Sequence, residues 1–159
     1  MAKDYSTILN TYESIHRNPI NRAIHAVGIP AIITSILGIM ALIPTGVSVG
    51  DVDLSGAEII SIVTLLITLS WAWRAALAFA PILTGCYVLA NSISFDSMLS
   101  SAGVWGAVFV IGWLVQFIGH AFEGHSPEFT SRPENLLLGP ISVSLEILPF
   151  LRPYRIEVG

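Results

Sequence analysis

The stretch Ala23–Pro44, AIHAVGIPAIITSILGIMALIP, decides how the rest of the chain is read. It holds no Asp, Glu, Lys or Arg, and it has the roughly 20 mostly apolar residues that an α-helix needs to cross the hydrocarbon of a bilayer. Pro30 inside it predicts a kink rather than a stop, because a membrane helix can tolerate the lost hydrogen bond. Downstream, Glu58–Ser94 is apolar throughout except for Arg74 in Trp71-Ala-Trp-Arg-Ala75. That run is too long for one crossing and suits two short ones, 58–73 and 75–94, joined by a tight turn with its tryptophans at the membrane–water interface. Ala102–Phe122 makes a fourth. Thr45–Ala57 and Phe95–Ser101, rich in Gly, Ser and Asp, read as loops.

The composition agrees. Of 159 residues, 53% are hydrophobic and 11% charged, against a usual charged share of about 25%. The mean hydropathy is +0.74. Seven basic and eleven acidic side chains are too few to cover a soluble domain of this size, and the chain is far too apolar to be disordered. A net charge of −4 with scattered basic residues argues against a nucleic-acid partner. Cys86 is the single cysteine, which excludes an intramolecular disulfide or a cysteine-rich metal site. Residues 1–18 are polar, and no cleavage site follows a short apolar core, so the first apolar segment is expected to remain in the mature protein.

The expected fold is an all-α integral membrane protein forming a single membrane domain, 1–159. It has four transmembrane helices (about 23–44, 58–73, 75–94 and 102–122), preceded by an N-terminal amphipathic helix over Tyr5–His16. Leu136–Leu151 is apolar but carries Pro140 and Pro149, and reads as an interfacial or re-entrant C-terminal segment. With four crossings, Lys3, Arg17, Arg22, Arg74, Arg132, Arg152 and Arg155 all fall on one side. Asp51, Asp53, Glu58 and Asp96 fall on the other. The positive-inside rule then makes both termini cytoplasmic. That means an inner membrane in a bacterium, or the endoplasmic reticulum membrane in a eukaryote.

This topology brings the four histidines to one side. His16 and His25 stand at the entrance to the first span, His120 and His125 at the exit from the last. Asn18-Pro19 reads as an N-cap with proline at the first helical position. Asn21 and His25 then share a helix face, and His16, on its own element, can fold back over His25. Gln116, His120 and Glu123 form an i, i+4, i+7 stripe, and Gly124 is a natural C-terminal cap, leaving His125 on the following loop. Imidazole suits zinc, copper, iron or nickel, and Asn21, Gln116 and Glu123 are placed to orient the rings through their other nitrogens. Taken singly, each histidine reads as well as an ordinary interfacial side chain. Arg17, Arg22 and Arg74 read as topology anchors, and Cys86 as a small apolar residue.

Three motifs carry a family resemblance. They are Tyr12-Glu-Ser-Ile-His16-Arg-Asn-Pro-Ile-Asn21-Arg-Ala-Ile-His25-Ala-Val-Gly28-Ile-Pro30, then Gly112-Trp-Leu-Val-Gln116-Phe-Ile-Gly-His120-Ala-Phe-Glu123-Gly-His125-Ser-Pro127, and Leu136-Leu-Leu-Gly139-Pro140. Together they resemble the 2-hydroxy fatty acid dioxygenases, small membrane proteins of fungi and bacteria, over nearly the whole chain. The resemblance implies an Fe(II)-dependent enzyme that uses O2 to shorten 2-hydroxy fatty acids by one carbon (α-oxidation). In fungi it serves phytosphingosine breakdown at the endoplasmic reticulum. His16, His25 and His120 match the motif histidines, and Asn21, Gln116 and Glu123 match their polar companions. His125 stands where a basic residue such as Lys is common, so three ligands with open positions is the alternative to four. In this reading the histidines hold iron, and Glu123 orients a ligand or accepts a proton. Asn21 positions a histidine or the substrate, whose alkyl chain lies along the helices among membrane lipid. Two other readings use the same residues: a bis-histidine haem protein with His25 and His120 as axial ligands, and a membrane scaffold with no enzymatic role. Four histidines are too few for the clustered boxes of the di-iron membrane hydroxylases.

Overall fold

The computed structural model describes residues 5–93, 95–124 and 136–152. Helix α1 (Tyr5–Ile15) leads into α2 (Pro19–Met40). A hairpin of β1 (Pro44–Val49) and β2 (Val52–Ser55) follows, then α3 (Gly56–Trp71), α4 (Trp73–Ser92), α5 (Met98–Glu123) and α6 (Leu138–Ile147). A 3-10 turn over Pro149–Leu151 ends the described chain.

Local chemistry sets these boundaries. The Asn18 side chain accepts from the Ile20 amide with Pro19 at the first helical position, as the sequence predicts. Helix α2 runs unbroken through Pro30. Ser55 and Glu58 form a reciprocal capping box at the start of α3, satisfying amides that a helix start leaves bare. Ala72 turns extended (φ −161°, ψ 121°) and separates α3 from α4 at the expected tight turn. Gly124 (φ 75°) closes α5 in the left-handed conformation that glycine takes without steric cost.

The segment read as a loop at Thr45–Ala57 is instead largely a hairpin, with Val49 paired to Val52 across Gly50 and Asp51. The glycine and aspartate content that suggested a loop is the turn chemistry. Gly50, at φ 62°, occupies the position where a II′ hairpin turn requires glycine. Val47, Val49, Val52 and Leu54 supply the alternation of a strand.

Three helices are long and apolar enough to cross a membrane: α2, α4 and α5. The fourth expected crossing, α3, has 16 residues and spans about 24 Å at 1.5 Å per residue, short of the roughly 30 Å hydrocarbon core. The surface pattern is that of a protein solvated by lipid. Helix α5 buries Ser101, Gly112, Gln116, Gly119 and His120 while Val110, Ile111, Leu114, Phe117 and Ile118 face outward. Trp105 apart, which is buried, small and polar residues lie inside and large apolar ones outside, the pattern expected where lipid does not penalise exposed aliphatic groups while helix contacts demand close backbones.

Helices α2 and α5 form the principal contact. It is tight because glycines stand where side chains would collide. A Cβ on Gly112 would meet Ile32, and one on Gly119 would meet Asn21 and Ile24. Two apolar clusters flank this contact. Leu9, Tyr12, Ala75, Ala78, Leu138, Ile141 and Leu145 pack at the end where α2 begins. Leu37, Phe79, Leu83, Cys86 and Trp105 pack toward the hairpin end.

Helix α6 is more buried than an interfacial segment requires. Seven of its residues, including Ile141, Ser142, Ser144 and Leu145, are buried, and it packs on α4, α2 and α1. Arg152 donates to Glu13 at 2.8 Å, with both side chains largely buried, and Ser142 donates to the same carboxylate at 3.2 Å. These contacts tie the N-terminal helix to the C-terminal one. Among the described residues, Arg17, Arg22, Arg74 and Arg152 flank helix ends on the α1 side, whereas Asp51, Asp53 and Asp96 lie in the hairpin and the α4–α5 connection. Lys3, Arg132 and Arg155, the other basic residues of the expected one-sided set, lie outside the described residues.

Candidate metal centre

His16 lies just past α1, His25 sits two turns into α2, and His120 is in the last turn of α5. Their rings meet. Centroid separations are 5.5 Å for His16–His25, 5.3 Å for His16–His120 and 4.9 Å for His25–His120, all edge to face. One ring nitrogen from each lies within 4.8 Å of those of the other two. His25 and His120 are buried and His16 half-buried.

Two rings are fixed through their own helices. His16 Nδ1 donates to the Tyr12 carbonyl at 2.8 Å, and His25 Nδ1 donates to the Asn21 carbonyl at 2.9 Å. A carbonyl oxygen only accepts, so both rings carry their proton on Nδ1 and keep the Nε2 lone pair free. His16 Nε2 is buried with no hydrogen-bond partner among the described residues, a state that ordinarily costs about 1–3 kcal/mol. Tyr12 stacks flat on the His16 ring, with centroids 4.0 Å apart.

The donor set fits a metal ion. Three nitrogens no more than 4.8 Å apart lie within about 2.8 Å of a common point, and metal–imidazole bonds are about 2.0–2.1 Å. Closing that gap takes less than about 1 Å of movement by each ring, well within side-chain reach. Three neutral imidazoles leave the ion its full charge and leave positions open for other ligands.

The expected polar companions divide into two kinds. Glu123 grips the start of α2. One carboxylate oxygen accepts from the Asn18 amide at 3.0 Å and the other accepts from the Asn21 side chain, while the Asn18 side chain donates to the Phe122 carbonyl at 3.0 Å. Asn21, fully buried, thus holds Glu123 with its side chain and His25 with its carbonyl. Gln116 is different. It is buried beside the histidines, yet its Nε2 bonds nothing among the described residues and lies where a Cβ on Gly28 would strike it. It orients no ring. His125 lies outside the described residues.

From the histidines an apolar cavity of about 230 Å3 runs into the helix bundle. Its head is lined by Tyr12, His16, His25, Gln116 and His120, and its body by residues of α2, α3, α4 and the 136–140 segment. Sequence reading missed this cavity. Its α3 and α4 walls, Ile60, Thr64, Phe79 and Leu83, carry no signal of their own, whereas Tyr12, four residues before His16, was visible as a spacing.

The described residues form a small helical protein with three helices long and apolar enough to cross a membrane and a three-histidine cluster that could hold a metal ion. The chain belongs to the Mpo1-like family, described as 2-hydroxy-palmitic acid dioxygenase Mpo1-like, which it matches over residues 2–150. No curated protein and no solved structure matches it.

Proposed function

We propose that this chain is an Fe(II)-dependent dioxygenase that shortens 2-hydroxy fatty acids by one carbon at the cytoplasmic face of the membrane it occupies. The observation that carries the reading is the meeting of His16, His25 and His120 at the polar head of an otherwise apolar cavity. Family membership supports the substrate class, since the family description names a 2-hydroxy acid.

His16, His25 and His120 would hold the metal, the first two through the Nε2 atoms that their Nδ1 hydrogen bonds leave free. Bound Fe(II) supplies a Lewis acid for a hydroxyl–carboxylate pair and the one-electron chemistry that O2 requires. The protein's own contribution is placement. Tyr12 and Asn21 carbonyls fix two rings and their tautomers, and Glu123 fixes Asn21. Ile29, Ile32 and Phe79 line the cavity, exclude water and take up the alkyl chain, each buried methylene contributing about 0.8 kcal/mol. In this reading α3 is the fourth, short crossing, and the arginine-bearing end of the bundle faces the cytoplasm.

The haem alternative fits the geometry poorly. His25 and His120 centroids are only 4.9 Å apart with His16 closing the third side, which leaves no room for a macrocycle between them.

The test uses full-length protein purified without oxygen and loaded with Fe(II). Addition of a 2-hydroxy fatty acid and O2 is expected to consume oxygen and yield the acid one carbon shorter. Iron-loaded protein that consumes no oxygen with any such acid contradicts the reading.

A further inference from the structure

The cavity has a direction. Every titratable group on its wall, and the Gln116 amide, belongs to the histidine end. From His25 onward, α2 presents Ile29, Ile32, Ile33, Ile36 and Leu37 to the cavity, a continuous stripe at i, i+4, i+7, i+8, i+11 and i+12. Twelve residues of helix advance about 18 Å. That is slightly more than half of the roughly 30 Å hydrocarbon core, the depth of one leaflet's acyl chains.

The far end is closed. Leu37, Phe79 and Leu83 are 2%, 1% and 5% exposed and pack in one cluster. Ile60 of α3, near the start of its helix on the hairpin side, also lines the cavity and is 36% exposed. Helix α3 packs on α4 and α2, and α5 packs on α2, so Ile60 on α3 and Trp113 on α5 line the cavity from elements that meet mainly through α2.

Resting on the dioxygenase reading above, we propose that Leu37, Phe79 and Leu83, with Ile60 at the wall, form the floor that sets the longest acyl chain the site accepts. A chain whose polar head lies at the histidines gains affinity about fourfold for each methylene it buries, until its terminal methyl reaches this floor. Longer chains must buckle or leave methylenes outside.

Binding and turnover of saturated 2-hydroxy fatty acids of increasing length, by full-length iron-loaded protein in nanodiscs, test this. Wild-type affinity is expected to climb about fourfold per methylene to a limiting length and then stop. Leu83→Trp and Ile60→Trp move the limit to shorter acids, and an acid that must expose two more methylenes binds about fifteenfold more weakly than to wild type. Leu83→Ala moves the limit to longer acids. Should Leu83→Trp lose its metal, Leu83→Ala and Ile60→Trp carry the comparison. An unchanged limit in variants of normal metal content overturns the proposal, even with turnover intact. Length-dependent binding that shifts as stated, without turnover of any acid, overturns the dioxygenase reading and leaves the floor standing.

Discussion

Asn21 and Glu123 lie 102 residues apart in sequence and are joined side chain to side chain, directly behind the carbonyl that fixes His25. One bond therefore locks the start of α2 to the end of α5 and aims a histidine. Replacing Glu123 by Ala leaves the buried Asn21 amide and the Asn18 amide without their acceptor, at a cost of about 1–3 kcal/mol each. Loss of the support behind a metal-binding histidine commonly weakens metal affinity about 10–100-fold. Fe(II) titration of Glu123→Ala is expected to show that loss at unchanged stoichiometry, and Glu123→Gln, which keeps an acceptor oxygen, a smaller one.

The two ion pairs at this end differ in weight. Arg152–Glu13 is shielded, with side chains 14% and 11% exposed, whereas Arg22–Glu146 is 49% and 24% exposed. Arg152→Leu removes the cationic partner of a mostly buried carboxylate, which keeps the Ser142 hydroxyl, and is expected to destabilise by about 3 kcal/mol, much of it recovered in Glu13→Gln/Arg152→Leu. Arg22→Ala should cost at most about 1 kcal/mol. Thermal unfolding in one detergent checks the order of the three.

Glycine substitutions should separate by what a methyl group meets. At Gly119 it meets Asn21 and the branched Ile24 beside the site, and at Gly28 the end of the flexible Gln116 side chain. At Gly85, Gly103 and Gly106 it meets open space. Gly119→Ala is expected to lower both stability and metal affinity, Gly28→Ala to do so less, and Gly103→Ala to be neutral within about 0.5 kcal/mol. Metal titration and unfolding of the three variants give the ranking.

Four crossings make a labelling prediction. In a Cys86→Ser background, Asp53→Cys and Arg74→Cys flank α3, and a membrane-impermeant thiol reagent should reach Arg74→Cys only from the cytoplasmic face and Asp53→Cys only from the opposite one. Reaction of both from one face contradicts the fourth crossing.

Much of this was legible in the sequence because it is local. The Asn18-Pro19 helix start, the Gly124 stop and the i, i+4 spacing of Asn21 with His25 need only neighbouring residues, and the charge asymmetry needs only a count. The meeting of His16, His25 and His120 followed from topology. The hairpin is harder to read, because Gly50-Asp51 has the composition of any loop and becomes a turn only through the pairing of the valines on either side. The close packing of Leu138, Ile141 and Leu145 against α1 and α4 is not legible in the sequence, where Pro140 and Pro149 make the segment read as a poor span. The cavity was illegible, since residues such as Ile60 and Phe79 acquire their role only when separate helices bring them together.

The most direct measurement counts ferrous ions. Anaerobic equilibrium titration of full-length protein is predicted to give one Fe(II) per chain, and none at the same concentrations for His25→Ala or His120→Ala proteins that still insert and unfold cooperatively. Undiminished iron binding by both variants would contradict the account at its centre.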